Sequence, residues 1–354
     1  MAVISFKCPN CDGELIFDPT TQKYKCEYCD SKFSQKELEE MQPAAASEQK
    51  VSFGLQGEME GTSDKDAVRY TCPSCGAEIM TDATTAATFC YYCHNPVVLG
   101  GRLDGKFLPN KIIPFSVPKE TAVKAFLDYV GSKKFVPKAF FSQKQIESVT
   151  GVYFPYWLYD VELEGNMQGD ARKVRVWRAG DNEYTETKFY AVERAGDISL
   201  SNLSENALQK ANAKLASGVM PFDFKLMKSF HTGYLSGFLA ERRDIEQSAV
   251  QNKMRGVMRE SAEKLMRDTI SGYTSVSVQR SNFLPKREDW SYVLLPVWTI
   301  TYKGRNGNIY YYSMNGQTGK VCGELPVDRR KLGFVSTLVG VAVLILGLIG
   351  GYFI

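Results

Sequence analysis

Residues 8–29 read CPNCDGELIFDPTTQKYKCEYC, and residues 72–93 read CPSCGAEIMTDATTAATFCYYC. In both stretches a C-x-x-C pair is followed, after fourteen residues, by a second C-x-x-C. The first set is Cys8, Cys11, Cys26 and Cys29; the second is Cys72, Cys75, Cys90 and Cys93. The match runs without gaps through Glu14 and Glu78, Asp18 and Asp82, Thr20-Thr21 and Thr84-Thr85, and Tyr28 and Tyr92, so one unit occurs twice. A C-x-x-C turn aims two sulfurs at one point. Two such turns joined by a hairpin close a tetrahedral four-sulfur shell, which suits Zn2+, with iron the chief competitor. The spacing therefore predicts two small β zinc ribbons, each holding one structural Zn2+. All four positions on the ion are filled, leaving none for a substrate. The ion supplies folding energy that a core of about 25 residues does not.

These eight account for all but one of the nine cysteines. The last, Cys322, reads as a small, half-buried residue. Met-Ala-Val-Ile-Ser-Phe-Lys-Cys has neither a charged start nor a long apolar run, so no export signal is read at the N-terminus. In a reducing compartment paired cysteines favour metal over disulfides. Cys90-Tyr-Tyr-Cys93-His94 formally matches a haem attachment motif, but its cysteines already have partners at ribbon spacing.

At the other end, residues 332–354 read LGFVSTLVGVAVLILGLIGGYFI, with no ionisable side chain. As a helix this stretch is about 34 Å long, enough for a bilayer core. Arg329, Arg330 and Lys331 precede it and no Lys or Arg follows, so the positive-inside rule puts the bulk of the chain in the cytoplasm. The expectation is a single-pass cell-membrane protein whose C-terminus reaches the outer side. Gly333, Gly340, Gly347 and Gly351 offer a face for homo- or hetero-oligomeric helix contacts.

The fold class expected is therefore multidomain: ribbon 1 at 1–33, an acidic flexible linker at 34–66, ribbon 2 at 67–100, a central α+β region at 101–327, a basic juxtamembrane cluster at 328–331 and a transmembrane helix at 332–354. The linker carries Lys36, Lys50 and Lys65 against eight acids, and on this reading the ribbons move independently. Ser34 and Glu37 make a capping box for a short helix.

In the central region, Pro118 and Glu120 open a helix whose buried stripe is Val123, Phe126, Leu127 and Val130, and Gly131 ends it. Residues 152–163 read as a strand, 172–178 and 183–194 as a strand pair, and 238–270 as a long helix with Ile245, Ala249, Val257, Met258 and Leu265 inward. A hairpin turns at Asn306-Gly307, and a short last strand follows a turn at Asn315-Gly316. Val152-Tyr-Phe-Pro155-Tyr-Trp157 echoes Val293-Leu-Leu-Pro296-Val-Trp298, the mark of a duplicated helix-plus-sheet unit with both tryptophans in the core.

The chemistry excluded is as informative. Net charge is only +3, and neither ribbon has the basic face that phosphate binding needs, so a membrane-linked nucleic-acid-binding protein is the alternative and not the main reading. Gly100 to Lys106 imitates a P-loop, but Phe107 stands where the magnesium-binding hydroxyl belongs. Of the two histidines, His231 has no nucleophile motif beside it. No catalytic constellation is read, and the expectation is a protein that is not an enzyme.

The doubled ribbons, Ile112-Ile-Pro-Phe115, Gly151-Val-Tyr-Phe-Pro155-Tyr-Trp157, Gly237-Phe-Leu-Ala-Glu241-Arg, Leu295-Pro-Val-Trp298, Asn315-Gly-Gln-Thr-Gly-Lys-Val321 and Gly323-Glu-Leu-Pro326 together resemble a bacterial family of zinc-ribbon membrane proteins, the YdjG type. The resemblance covers nearly the whole chain. It implies a membrane-bound adaptor working with a phage-shock-protein-A-like stress protein, an SPFH or flotillin-like protein and a sister membrane protein at the inner face of the bilayer. It transfers the eight ribbon cysteines and no catalytic residue.

Overall fold

The computed structural model describes residues 3–4, 6–41, 67–72, 78–90, 96–99, 103, 105–137, 149–209, 217–303 and 309–352. Linker residues 42–66, Cys75, Cys93, His94, residues 100–102 and 104 of the P-loop-like stretch, and the Asn306-Gly307 turn lie outside the described residues.

The chain opens with β1 (Val3–Ile4), β2 (Leu15–Asp18), β3 (Lys23–Cys26), β4 (Lys32–Phe33) and α1 (Gln35–Met41). Strands β2, β3 and β4 form a small antiparallel sheet. The capping box of α1 closes both ways: Ser34 N–H donates to Glu37 Oε2 at 2.6 Å, and Glu37 N–H to Ser34 Oγ at 3.3 Å. Then come the paired strands β5 (Ala67–Thr71) and β6 (Glu78–Asp82), and the pair β7 (Thr85–Phe89) and β8 (Pro96–Leu99).

The central region runs β9 (Lys111–Ile112), α2 (Lys119–Gly131), β10 (Thr150–Ala179), β11 (Asn182–Asn206), β12 (Lys228–Ser229), β13 (Leu239–Glu241), α3 (Gln247–Asp268), β14 (Ser275–Lys303), β15 (Ile309–Asn315) and β16 (Val321–Gly323). The apolar helix α4 (Arg329–Tyr352) follows. One sheet runs β1-β8-β7-β13-β10-β14-β15-β16, with β11 on β10 and β9 between β12 and β14. Expected as a free-standing module, the second ribbon instead gives its β7–β8 hairpin to this sheet, Ala87 facing Ala240 of β13. The N-terminal β1 adds outside β8.

The duplication is visible bond by bond. Unit one is β9–α2–β10–β11 and unit two is β13–α3–β14–β15. Strands β10 and β14 are antiparallel, Val152 facing Val297. Leu294 pairs with Ile112 and Tyr153 with Ala240, both in parallel register. Trp298 Nε1–H donates to Val117 O at 2.9 Å, and Trp157 Nε1–H to Ile245 O at 3.0 Å, each acceptor lying two residues before its helix. Gly316 N–H donates to Pro296 O at 2.8 Å, and Ala207 N–H to Pro155 O at 3.0 Å. Each unit thus clamps the entrance of the other's helix, and both tryptophans are core residues.

Two elements differ from the sequence reading. The helix expected from 238 begins at Gln247, because Leu239–Glu241 is claimed by the sheet. Its buried face is Val250, Met254, Met258, Ala262 and Met266, a strict four-residue ladder, while Val257 and Leu265 face out. Second, β10 is unbroken over 30 residues. Gly165 and Gly169 are not turns in it: a Cβ on Gly165 would lie 2.6 Å from Met266 Cε, and one on Gly169 would meet Ser277 O. Glycine here admits a helix side chain and a neighbouring strand.

Because β14 starts at Ser275, opposite Arg172, β10 and β11 continue past it as a two-stranded arm. The arm closes at Gly180-Asp181, Gly180 taking φ +62 at the first central position of a two-residue turn.

The core centres on an aromatic hub. Phe115 lies flat on Phe238, centroids 4.2 Å apart and planes 8° apart, with the rings of Tyr153 and Trp298 each 5.0 Å from Phe115. Room for it comes from Gly151, whose Cβ would lie 2.7 Å from Phe238, and Gly316, whose Cβ would lie 2.6 Å from Phe115. The full chain in detergent should lose about 1–3 kcal/mol of stability on Gly151→Ala or Gly316→Ala, through overpacking. Gly256→Ala, at an exposed site in α3 where an added Cβ meets nothing, should instead gain about 0.5–1 kcal/mol. Denaturant unfolding of the three variants measures both signs.

Candidate metal centre

The first ribbon builds its site from two equivalent turns. Asp12 N–H donates to Cys8 O at 2.9 Å, and Asp30 N–H to Cys26 O at 3.0 Å. Asp12 and Asp30, each just after the second cysteine of its pair, take φ of 58 and 57. That left-handed step, which aspartate tolerates better than most residues, folds the chain back around the sulfurs. Gly13 is held small, since its Cβ would lie 2.6 Å from Tyr28 and 3.3 Å from the sulfurs of Cys11 and Cys26.

The result is one four-sulfur cluster: Cys8, Cys11, Cys26 and Cys29 place their Sγ atoms within 4.8 Å of one another. Cys8 Sγ is 3.6 Å from Cys29 Sγ, and Cys11 Sγ is 3.5 Å from Cys26 Sγ. A tetrahedron with metal–sulfur bonds of about 2.3 Å has edges of about 3.8 Å. The cluster therefore fits a single ion and is far too open for a disulfide. Cys8 and Cys26 are buried, while Cys11 and Cys29 form the rim.

The electrostatics ask for a cation. Hydrogen bonding with the Ser31 side chain and N–H, with help from Cys11, lowers Cys29 to about 6. At Cys11 the backbone bond with Gly13 favours the thiolate, but the sulfurs of Cys29 and Cys26 outweigh it and push that thiol up to about 12. Without an ion the sulfurs cannot all ionise together; a divalent ion in their midst removes the conflict.

The ribbon is seated on the central region. Phe17 N–H donates to Ser236 O at 3.1 Å, the Ser236 hydroxyl donates to Leu15 O, and Gln22 Nε2–H donates to Phe115 O at 2.8 Å. The Phe17 ring meets Tyr234 edge-on at 5.2 Å. Gly237, at φ +87, faces Ile16 Cγ2, which occupies the space a Cβ would need. The expected independence of this ribbon is thus overturned by a fitted contact. His231 serves the same seat, its Nδ1 accepting from Gly233 N–H at 3.1 Å.

In the second ribbon, Cys72 and Cys90 are buried in one small cluster with Tyr70, Val97 and Leu99. Cys75 and Cys93 fall outside the described residues, so the geometry speaks for one four-cysteine site. Cys322 stands apart, its sulfur filling the space a Cβ on Gly218 would need. The strand pair expected at 172–178 and 183–194 is the arm; what the sequence reading missed is its exposed apolar side chains, Val176, Trp177, Tyr184 and Phe189 being 42–67% exposed, with Trp177 stacked on Tyr184 at 5.7 Å. The β-branched and aromatic run on either side of Gly180 carries that signal.

Fold and site together define a multidomain α+β protein with a four-cysteine cluster that could hold a metal ion and, among the described residues, one C-terminal helix long and apolar enough to cross a membrane. Over Arg329–Leu348 that helix has a mean hydropathy of 2.1 and is nowhere buried. The chain is 31% identical over 330 residues to the uncharacterized protein YdjG of Bacillus subtilis (strain 168), covering 93% of this chain and 92% of that protein. The chain belongs to the YdjG family. No family model and no solved structure matches it.

Cys11→Ser should abolish retention of the first ion and speed amide exchange across residues 15–24, whereas Cys322→Ser should leave metal content unchanged. Elemental analysis with hydrogen exchange reads both. Thiols must shed protons to bind metal, so chelator competition should show affinity falling steadily as pH drops from the alkaline side, where Cys11 already holds its proton, and more steeply below about 6, where Cys29 takes one too.

Proposed function

We propose that this protein is a non-enzymatic membrane-anchored adaptor. Its metal sites are two structural Zn2+ ribbons on the cytoplasmic side. Helix α4 anchors it as a single-pass protein with its C-terminus outward. It assembles a membrane-stress complex of the phage-shock-protein-A and SPFH type at the inner membrane face.

The observation that carries this reading is the arm. Past the last β14 pairing at Arg172, the arm bears exposed Val176, Trp177 and Tyr184, with exposed Phe189 at its base and no third strand beside it among the described residues. Arg175 lies over Trp177 at 5.6 Å and Arg172 over Phe189 at 5.3 Å. Aromatic and arginine side chains are the usual anchors of protein interfaces. The closed four-sulfur site supports a structural role for the metal, since it offers no coordination position for a substrate. The motifs shared by resemblance supply packing: Phe115, Gly151, Phe238, Trp298 and Gly316 all meet in the hub.

Affinity purification of the full chain from detergent-solubilised membranes should recover stress-protein partners together with bound zinc. Trp177→Ala with Phe189→Ala should cut partner recovery by roughly tenfold or more with metal content unchanged. Recovery of no partner by an intact, metal-loaded bait would sink the adaptor reading. Salt-sensitive binding of nucleic acid would favour the alternative.

A further inference from the structure

We propose that the start of α4 and the loop after α2 form one binding surface for anionic phospholipid headgroups; this rests on the reading of α4 as a membrane helix. Two segments distant in sequence meet there. Asp328 N–H donates to Phe135 O at 2.6 Å, and Lys331 Nζ donates to Val136 O, 195 residues away, at 3.2 Å. The contact sets Lys133 and Lys134 beside Arg329 and Arg330, and all four are exposed. Consecutive Cα atoms are only about 3.8 Å apart, so Lys134, next to Phe135, sits at the level where the apolar part of α4 begins.

The charge arrangement is unbalanced within the protein. The N-terminal end of a helix carries partial positive charge and favours anions, yet the first turn of α4 holds Arg329, Arg330 and Lys331. Asp328 is committed to the cap, its Oδ1 accepting from Arg330 N–H at 3.1 Å and Lys331 N–H at 3.2 Å. Lys133 Nζ lies over the Tyr129 ring at 5.3 Å. Among the described residues no carboxylate forms an ion pair with Lys133, Lys134, Arg329 or Arg330. What borders the cations is apolar: Val327 is 56% exposed and Phe334 69%. A ligand that suits both is a phosphate group with an acyl chain beneath it. A free anion satisfies the charges and leaves the apolar rim in water.

The test uses the full chain in nanodiscs of phosphatidylcholine alone, of phosphatidylcholine with phosphatidylglycerol, and of phosphatidylcholine with added inorganic phosphate. The readout is amide exchange over residues 132–137 and 325–332. Phosphatidylglycerol should slow exchange in both segments several-fold, with raised salt reversing the effect. Each basic residue near an anionic surface contributes a preference of about fivefold. Lys133→Gln with Lys134→Gln should therefore weaken the phosphatidylglycerol preference about 30-fold, and Arg329→Gln with Arg330→Gln should do the same from the other segment. Equal exchange in the two lipids, or equal protection by inorganic phosphate, overturns the proposal. Failure of the chain to enter any nanodisc overturns the membrane reading beneath it instead.

Discussion

The flat stack of Phe115 on Phe238 is the contact on which the rest of the structure depends. Phe115 lies in the segment between β9 and α2, and Phe238 immediately before β13 on the way to α3, so one ring pair joins the two halves. Fully burying a phenylalanine is worth about 1.5–3 kcal/mol, and a well-placed ring pair adds about 0.5–1.5 kcal/mol. The same two segments hold the four-cysteine unit. The Phe115 carbonyl accepts from Gln22, and Gly237, next to Phe238, lies against Ile16. Loosening the stack therefore loosens the sheet, the helix entrances and the ribbon's seat together.

The duplicated units differ where the difference matters. Superposing one set of helix-entrance bonds on the other brings Phe115 to the place of Arg243. Arg243 is 4% exposed and lies 4.9 Å from the Trp157 ring and 5.2 Å from Phe107. Its Nη1–H donates to Glu246 at 2.7 Å and its Nη2–H to Lys106 O at 2.6 Å. A buried cation is tolerated only with such partners. One half of the duplication thus uses its central position to receive the ribbon, and the other to fasten the chain around Gly105–Phe107.

How much of this is legible in sequence depends on whether the signal is local. Cysteine spacing is local, and it identified Cys8, Cys11, Cys26 and Cys29 as one site. The Ser34–Glu37 box and the stripe of α2 are local in the same way. The echo of Val152–Trp157 in Val293–Trp298 pointed to the duplication, whose proof lies in hydrogen bonds between the halves. Failures came where partners are remote. Gly165 and Gly169 look like breaks until Met266 and Ser277 are seen beside them. Residues 238–246 have helical character, but β10 takes Leu239–Ala240 as a strand. The methionine face of α3 is hard to read because methionine is a poor marker of direction in an amphipathic pattern.

The direction of the long strands separates the aromatic arm from the apolar helix. Strands β10 and β14 are antiparallel and level at Thr150 and Thr299, so their C-terminal ends lie at opposite ends of the sheet. The chain leaves for α4 from the β15 end, where Glu324 N–H donates to Tyr311 O at 2.9 Å. The arm closes at the other end. An extended run of 30 residues covers about 100 Å. Exposed Trp177 and Tyr184 are therefore carried far from the apolar helix along a sheet that α3 stiffens through Met254, Met258 and Met266. The aromatic arm and the apolar helix therefore leave the sheet at opposite ends.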